Sequence, residues 1–175
     1  GLWQEGMRLS INISPRQFRR KAFVDDVLNT LKAYAIPENS LDMEVTEGIL
    51  IQQIDEAIIT MGTLVENGIS FSLDDFGTGY SSISYLKRLP VTVLKIDQGF
   101  VRDIIEDRND RVLVETIITM GKLLDMEVVA EGVERAEQLE ILRQYGCHYY
   151  QGFYASTAVD IVSFENLLLQ QTRLK

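Results

Sequence analysis

The sequence predicts an α/β fold: a parallel sheet with right-handed crossovers, closed toward a barrel. Three observations carry this. Six short apolar strands alternate with helices along the 175 residues. No Pro/Gly-rich linker, low-complexity stretch or long charge run interrupts them, so residues 1–175 read as one domain. Each strand also delivers a polar or ionisable side chain at its carboxyl end. Alternation alone fits either a doubly wound sheet or a barrel. An open sheet spreads its strand ends along an edge, whereas a barrel gathers them on one face. Six polar ends out of six favour the barrel.

The elements follow in order. Residues 8–13 (RLSINI) alternate apolar and polar positions, as a strand does. Ser14-Pro15 reads as a helix N-cap followed by proline at the first helical position. Val24, Val27, Leu28 and Leu31 continue at helical spacing. Residues 41–45 form the second strand. Ile54, Ile58, Met61 and Val65 mark a helix that stops at Asn67-Gly68. Residues 69–73 (ISFSL) alternate again. A Gly-rich loop and a short helix ending near Pro90 lead to a buried strand at 91–96. Leu113, Ile117, Met120 and Leu124 give a helix, residues 127–130 a strand, and residues 136–145 a helix capped by Gly146. Residues 148–151 are the last strand and 163–170 the last helix. No G-x-G-x-x-G turn follows a strand, so nothing supports a dinucleotide-cofactor site.

Composition narrows the chemistry. The chain is 46% hydrophobic and 25% charged, the profile of a chain that buries a core. No apolar run approaches the length of a membrane span, and the first residues carry no basic leader with an apolar stretch, so a signal peptide is not expected. Lys plus Arg number 17 against 26 Asp plus Glu, a formal net charge of −9. That argues against DNA or RNA polymers as partners, since their binders neutralise phosphates. A phosphate ligand held through metal ions remains compatible. The lone Cys147 excludes an intrachain disulfide and thiolate zinc clusters, and fits a cytoplasmic setting. The lone His148 argues against a Ser-His-Asp triad. Carboxylates, amides, lysine and metal are left.

The strand ends supply that set. They carry Asn12, Glu44, Asp74-Asp75, Lys95 with Asp97, Glu131 and Gln151. Crowded carboxylates raise one another's pKa values, and divalent cations relieve the repulsion. Oxygen ligands with one amide suit magnesium, manganese or calcium rather than zinc. Adjacent Asp74 and Asp75 could hold two ions about 3.5–4 Å apart, the spacing used in phosphate-ester displacement. Lys95 sits in the apolar run VLKI, where a charge needs carboxylate partners; there it could orient or deprotonate an attacking water. Each acid alone reads as a helix N-cap or turn residue, and Lys95 alone as a snorkelling side chain. Cys147 and His148 read as packing residues. Only the coincidence across strands points to a site.

At this point the residues resemble a known family. Asp74-Asp75-Phe76-Gly77-Thr78-Gly79-Tyr80-Ser81-Ser82 resembles the DDFGTGYSS loop of EAL domains, bacterial phosphodiesterases of the second messenger cyclic di-GMP. Asn12-Ile13-Ser14 with Gln17-Phe18, Glu44-Val45-Thr46-Glu47, Leu94-Lys95-Ile96-Asp97, Ala130-Glu131-Gly132-Val133-Glu134 and Gln151-Gly152-Phe153 agree in order. The resemblance implies a (β/α)8 TIM-type barrel, with about six of its eight strands in this chain. It implies hydrolysis of cyclic di-GMP to linear pGpG with two magnesium or manganese ions, calcium being an expected inhibitor. By position, Asn12, Glu44 and Asp74 would ligate one ion, and Asp74, Asp75 and Glu131 the second. Lys95 would position the water, with Lys95 and Glu131 as the catalytic pair. Glu134, Gln151 and Asp97 would support the metal or substrate. Glu47 would anchor the loop Phe76, Gly77, Thr78, Gly79, Tyr80, Ser81 and Ser82, which links a dimer contact to metal binding. A homodimer and fusion to sensory or diguanylate cyclase domains are implied for the parent, which could be membrane-anchored through those domains.

This sequence departs from the family in three places. It contains no Glu-Ala-Leu string, which belongs on a strand before Asn12 and completes the first metal site. Ser156-Thr157-Ala158-Val159 stands where the family carries a proline-containing segment, and Gln98-Gly99 replaces the usual polar pair. A complete barrel needs about 250 residues, so the 175 here are expected to be its later part. That part alone is expected to show negligible hydrolysis of cyclic di-GMP and to expose barrel edges and apolar surface. The alternatives are a degenerate EAL module that senses cyclic di-GMP or binds a protein, and a metal-dependent barrel lyase.

Overall fold

The computed structural model describes residues 7–48, 54–78 and 83–173. Its centre is a six-stranded, all-parallel sheet whose spatial order follows the chain. The strands are β1 (Leu9–Asn12), β2 (Leu41–Thr46), β3 (Ile69–Phe76), β4 (Val93–Ile96), β5 (Glu127–Ala130) and β6 (Tyr149–Tyr150). Sequential parallel neighbours joined by helices are what right-handed crossovers produce, and here they make a half-barrel. β1 and β6 are its two edges.

Strand pleating separates two chemistries. Met43, Val45, Phe71, Leu73, Leu94, Ile96, Val128 and Ala130 are all at most 2% exposed and face the helices. The residues between them, Asp42, Glu44, Ser72, Asp74 and Lys95, turn to the opposite, concave face. The hydrophobic layer is closed by α3 (Ile54–Val65), α6 (Arg108–Leu123) and α7 (Ala136–Tyr145), which contribute Met61, Leu64, Val114, Ile118 and Leu142. A Cβ at Gly121 of α6 would run into the Val128 side chain, so glycine there lets the helix lie close on β5. Gly146 ends α7 in the left-handed region at φ 72, as a glycine C-cap does. No helix among the described residues is long and apolar enough to cross a membrane.

All six expected strands are present, with shifted bounds. β3 runs through Phe76 and so includes the aspartate pair. β4 begins at Val93, and β6 shrinks to Tyr149–Tyr150. The first helical region divides into α1 (Pro15–Phe18) and α2 (Phe23–Ala33). α1 is a single turn closed by a capping box, with Gln17 N–H donating to Ser14 Oγ and Ser14 N–H donating to Gln17 Oε1. α4 (Ile83–Leu86) precedes β4, and α8 (Ile161–Arg173) extends the expected last helix at both ends. One helix was not anticipated: α5 (Gln98–Arg102), which starts directly after β4 with Asp97 as its N-cap.

Candidate active site

Four strand ends build one cluster. β2 contributes Glu44, β3 Asp74 and Asp75, β4 Lys95, and the first residue beyond β5 is Glu131. Lys95 lies between the carboxylates and is 5% exposed. Its Nζ stands 2.7 Å from Glu44 Oε2, 2.7 Å from Glu131 Oε1 and 3.2 Å from Asp74 Oδ1. The Asp74 contact is an ion pair without hydrogen-bond geometry, so Asp74 Oδ1 is buried with no hydrogen-bond partner. The cation that meets this buried oxygen is the Lys95 ammonium.

The aspartate pair departs from regular pleating. Consecutive strand residues point to opposite faces. Between Leu73 and Phe76 the β3–β4 register shifts, and Asp75 sits in the left-handed region at φ 53. A bulge re-aims side chains. As a result Asp74, Asp75 and Glu131 offer oxygens that all lie within 4.8 Å of one another. Three hard carboxylate oxygens at that spacing fit a divalent cation such as magnesium or manganese.

The electrostatics follow from burial and crowding. Burial raises the Asp75 carboxyl above its ordinary value, and the charges of Asp74 and Asp97 with a hydrogen bond to Asp97 raise it further. Burial also raises Glu131, and the Lys95 ammonium only partly offsets this. For Lys95 burial alone favours the neutral amine. Hydrogen bonds to Glu131 and Glu44, with the charges of Glu131 and Asp74, outweigh it and hold the group well above its ordinary value. Without a metal ion, the ammonium form of Lys95 is the one its carboxylate partners favour.

The other expected site residues lie around this centre. Asn12 is the β1 register partner of Glu44 and is exposed. Gln151 is exposed too; its backbone N–H donates to Ala130 O at 2.8 Å and its carbonyl accepts from Val133 N. Glu134 is exposed, outside the cluster of Asp74, Asp75 and Glu131. Asp97 caps α5 by accepting from Gly99 N at 2.8 Å while it faces Asp75. Glu47 is 6% exposed and accepts from Gly77 N at 3.1 Å; its other oxygen is buried without a partner. Phe76 is buried, and Thr78 Oγ1 donates to Asp75 O at 2.9 Å. Gly79, Tyr80, Ser81 and Ser82 lie outside the described residues.

Sequence reasoning passed over Asp42. It is 3% exposed on the concave face, accepting from Ser72 Oγ at 2.6 Å and Ser10 Oγ at 3.4 Å. Its position two residues before Glu44 on one strand was the available signal. His148 Nδ1 accepts from Val128 N at 3.0 Å, consistent with a structural residue.

With the geometry in place, the comparisons are specific. The sequence model of the EAL domain matches residues 2–158. The chain belongs to the EAL domain family. Its relatives include the bifunctional diguanylate cyclase/cyclic di-GMP phosphodiesterase MucR of Pseudomonas aeruginosa, 40% identical over 156 residues, which are 87% of this chain and 23% of MucR. The cyclic di-GMP phosphodiesterase NbdA of the same organism is 39% identical over 164 residues, 94% of this chain and 21% of NbdA. The EAL chain thus spans less than a quarter of these curated relatives. The solved structure of the PaMucR phosphodiesterase in complex with c-di-GMP superposes with a TM-score of 0.87 at 38% identity, covering 90% of this chain and 64% of that one.

Proposed function

We propose that the EAL domain to which this chain contributes hydrolyses one phosphodiester of cyclic di-GMP, giving linear pGpG, with two magnesium or manganese ions. One observation carries the reading. Asp74, Asp75 and Glu131 offer carboxylate oxygens that all lie within 4.8 Å of one another. Relatives named as cyclic di-GMP phosphodiesterases support the substrate.

Asp74, Asp75 and Glu131 would hold one cation, and Asn12, Glu44 and Asp74 the other. Bound divalent ions supply charge neutralisation of the phosphoryl oxygens and a template for in-line displacement. The remaining work belongs to the chain. Lys95, whose ammonium bridges Glu44 and Glu131, would turn a remaining N–H toward the attacking water and orient it. The water oxygen bonds to phosphorus as the bond to the ribose 3′ oxygen breaks; one water proton ends on that leaving oxygen, and the other leaves to solvent from the new phosphate monoester. Asp97 restrains Asp75. Glu47 accepts from Gly77 N and so ties the residue that follows β3 to the end of β2; a link from a dimer contact through the later loop residues to the Asp75 oxygens is part of this proposal.

The test is chromatographic. The full-length protein should convert cyclic di-GMP to pGpG with manganese, and Lys95→Ala or Asp74→Asn should abolish turnover. Cyclic di-GMP binding with no pGpG in any metal would instead favour the non-catalytic sensor, and full activity in Asp74→Asn would overturn the site.

A further inference from the structure

Gln138 is a buried polar side chain that the proposed reaction does not use. It is 2% exposed, although it stands at the third position of α7, where a glutamine usually meets solvent. Its amide makes four hydrogen bonds. Oε1 accepts from Glu134 N at 2.8 Å and Arg135 N at 2.9 Å. Nε2 donates to Val101 O at 3.0 Å and Arg102 O at 3.3 Å. Two N–H groups face one end and two carbonyls the other, so the amide fits in a single orientation and its full capacity is used. Arg135, the N-cap of α7, has no side-chain acceptor of its own. Helix capping accounts for the Oε1 bonds. It does not account for the Nε2 bonds, which reach across to the last carbonyls of α5.

Those two contacts join neighbouring strand ends. α5 is anchored at its start by Asp97, which faces Asp75. The segment Glu131–Glu134 rests on the same helix: Gly132 has φ +68, and a Cβ there would come within 2.6 Å of Gln98 Cβ. Its far side is held by Val133 N donating to Gln151 O at 3.1 Å and Val133 O accepting from Tyr154 N at 2.9 Å. Gln138 is the side chain that closes this frame on the α5 side. Gln138 thus links the backbone that follows Glu131 to the end of the helix that Asp97 begins.

We propose that Gln138 is a positioning residue, tying the Glu131 segment to α5 so that the Glu131 carboxylate meets Lys95 and the Asp74–Asp75 oxygens. The metal part of this inference rests on the reading above; the Lys95 part does not. Outer partners of metal ligands typically contribute 10–100-fold to affinity.

The experiment compares the protein with Gln138→Met and Gln138→Glu in two readouts. The first is the NMR signal of the Lys95 side-chain ammonium, hydrogen-bonded to Glu131 in the intact protein. The second is manganese affinity by calorimetry. Folded Gln138→Met should lose or shift the Lys95 signal and bind manganese about 10–100-fold more weakly. Gln138→Glu keeps the acceptor, loses the donors and should shift the signal in the same direction. Should Gln138→Met not fold, Gln138→Glu decides alone. A folded variant of lower stability with an unchanged Lys95 signal and unchanged manganese affinity would overturn the proposal, because a purely structural glutamine gives that pattern. If the intact protein binds no manganese, the metal reading fails, and the Lys95 signal still decides the role of Gln138.

Discussion

The central strands and the edge strands of this half-barrel treat their polar residues differently. Glu44, Asp74 and Lys95 on β2, β3 and β4 are each at most 9% exposed and locked into one ion-paired group. Asn12 on β1 and Gln151 beyond β6 occupy comparable strand ends, yet both are exposed. A central strand has a neighbour on each side that fixes its register and buries its side chains. An edge strand has one. In this sheet the charges are crowded on strands paired on both sides, where register and burial are fixed together.

The comparison is broken most severely at Lys95. Lys95→Ala leaves Glu44, Asp74 and Glu131 facing one another without a cation. In metal-free protein this should cost about 3–5 kcal/mol in chemical denaturation, and manganese should restore part of it. An unchanged denaturation midpoint would mean that the group is not coupled. Glu47→Ala removes the buried acceptor for Gly77 N. A loss of about 1–3 kcal/mol is expected, with faster amide exchange at Gly77 as the local readout.

The dependence on pH sharpens the comparison further. Folded Asp75 and Glu131 bind protons more tightly than their ordinary values of 3.8 and 4.5 imply. The stability this contributes is complete below those values and is lost as pH rises through the raised ones. Metal-free protein should therefore lose thermal midpoint across that window, and Asp75→Asn should make the decline shallower. A decline equally steep in Asp75→Asn would assign it to other groups. At the edges the effects are smallest. Asn12→Ala and Gln151→Ala should each shift stability by no more than about 0.5 kcal/mol, measured under the same denaturant.

Much of this was legible because it depends on local pattern. The strand–helix alternation located the six strands, and of the polar residues expected at their ends Glu44, Asp74, Asp75, Lys95 and Glu131 come together while Asn12 and Gln151 stay exposed. What alternation could not show is the convergence of Asp74 and Asp75. A regular strand would send them to opposite faces; the left-handed Asp75 and the shifted register bring them together, and the turn chemistry of aspartate before the Gly-rich loop was the only hint of it. α5 was missed because five residues are too few for helical periodicity, and only Asp97 as an N-cap hinted at it. Nothing in the local pattern singled out Gln138. Its reach to Val101 and Arg102 is a tertiary contact across 37 and 36 positions in sequence.

The central claim is that Asp74, Asp75 and Glu131 form a divalent-cation site. The most direct measurement is manganese binding by electron paramagnetic resonance, in the intact protein and in Asp74→Asn. Saturable binding that is lost in Asp74→Asn is the predicted result. No binding in the intact protein, or equal binding in both, would contradict it.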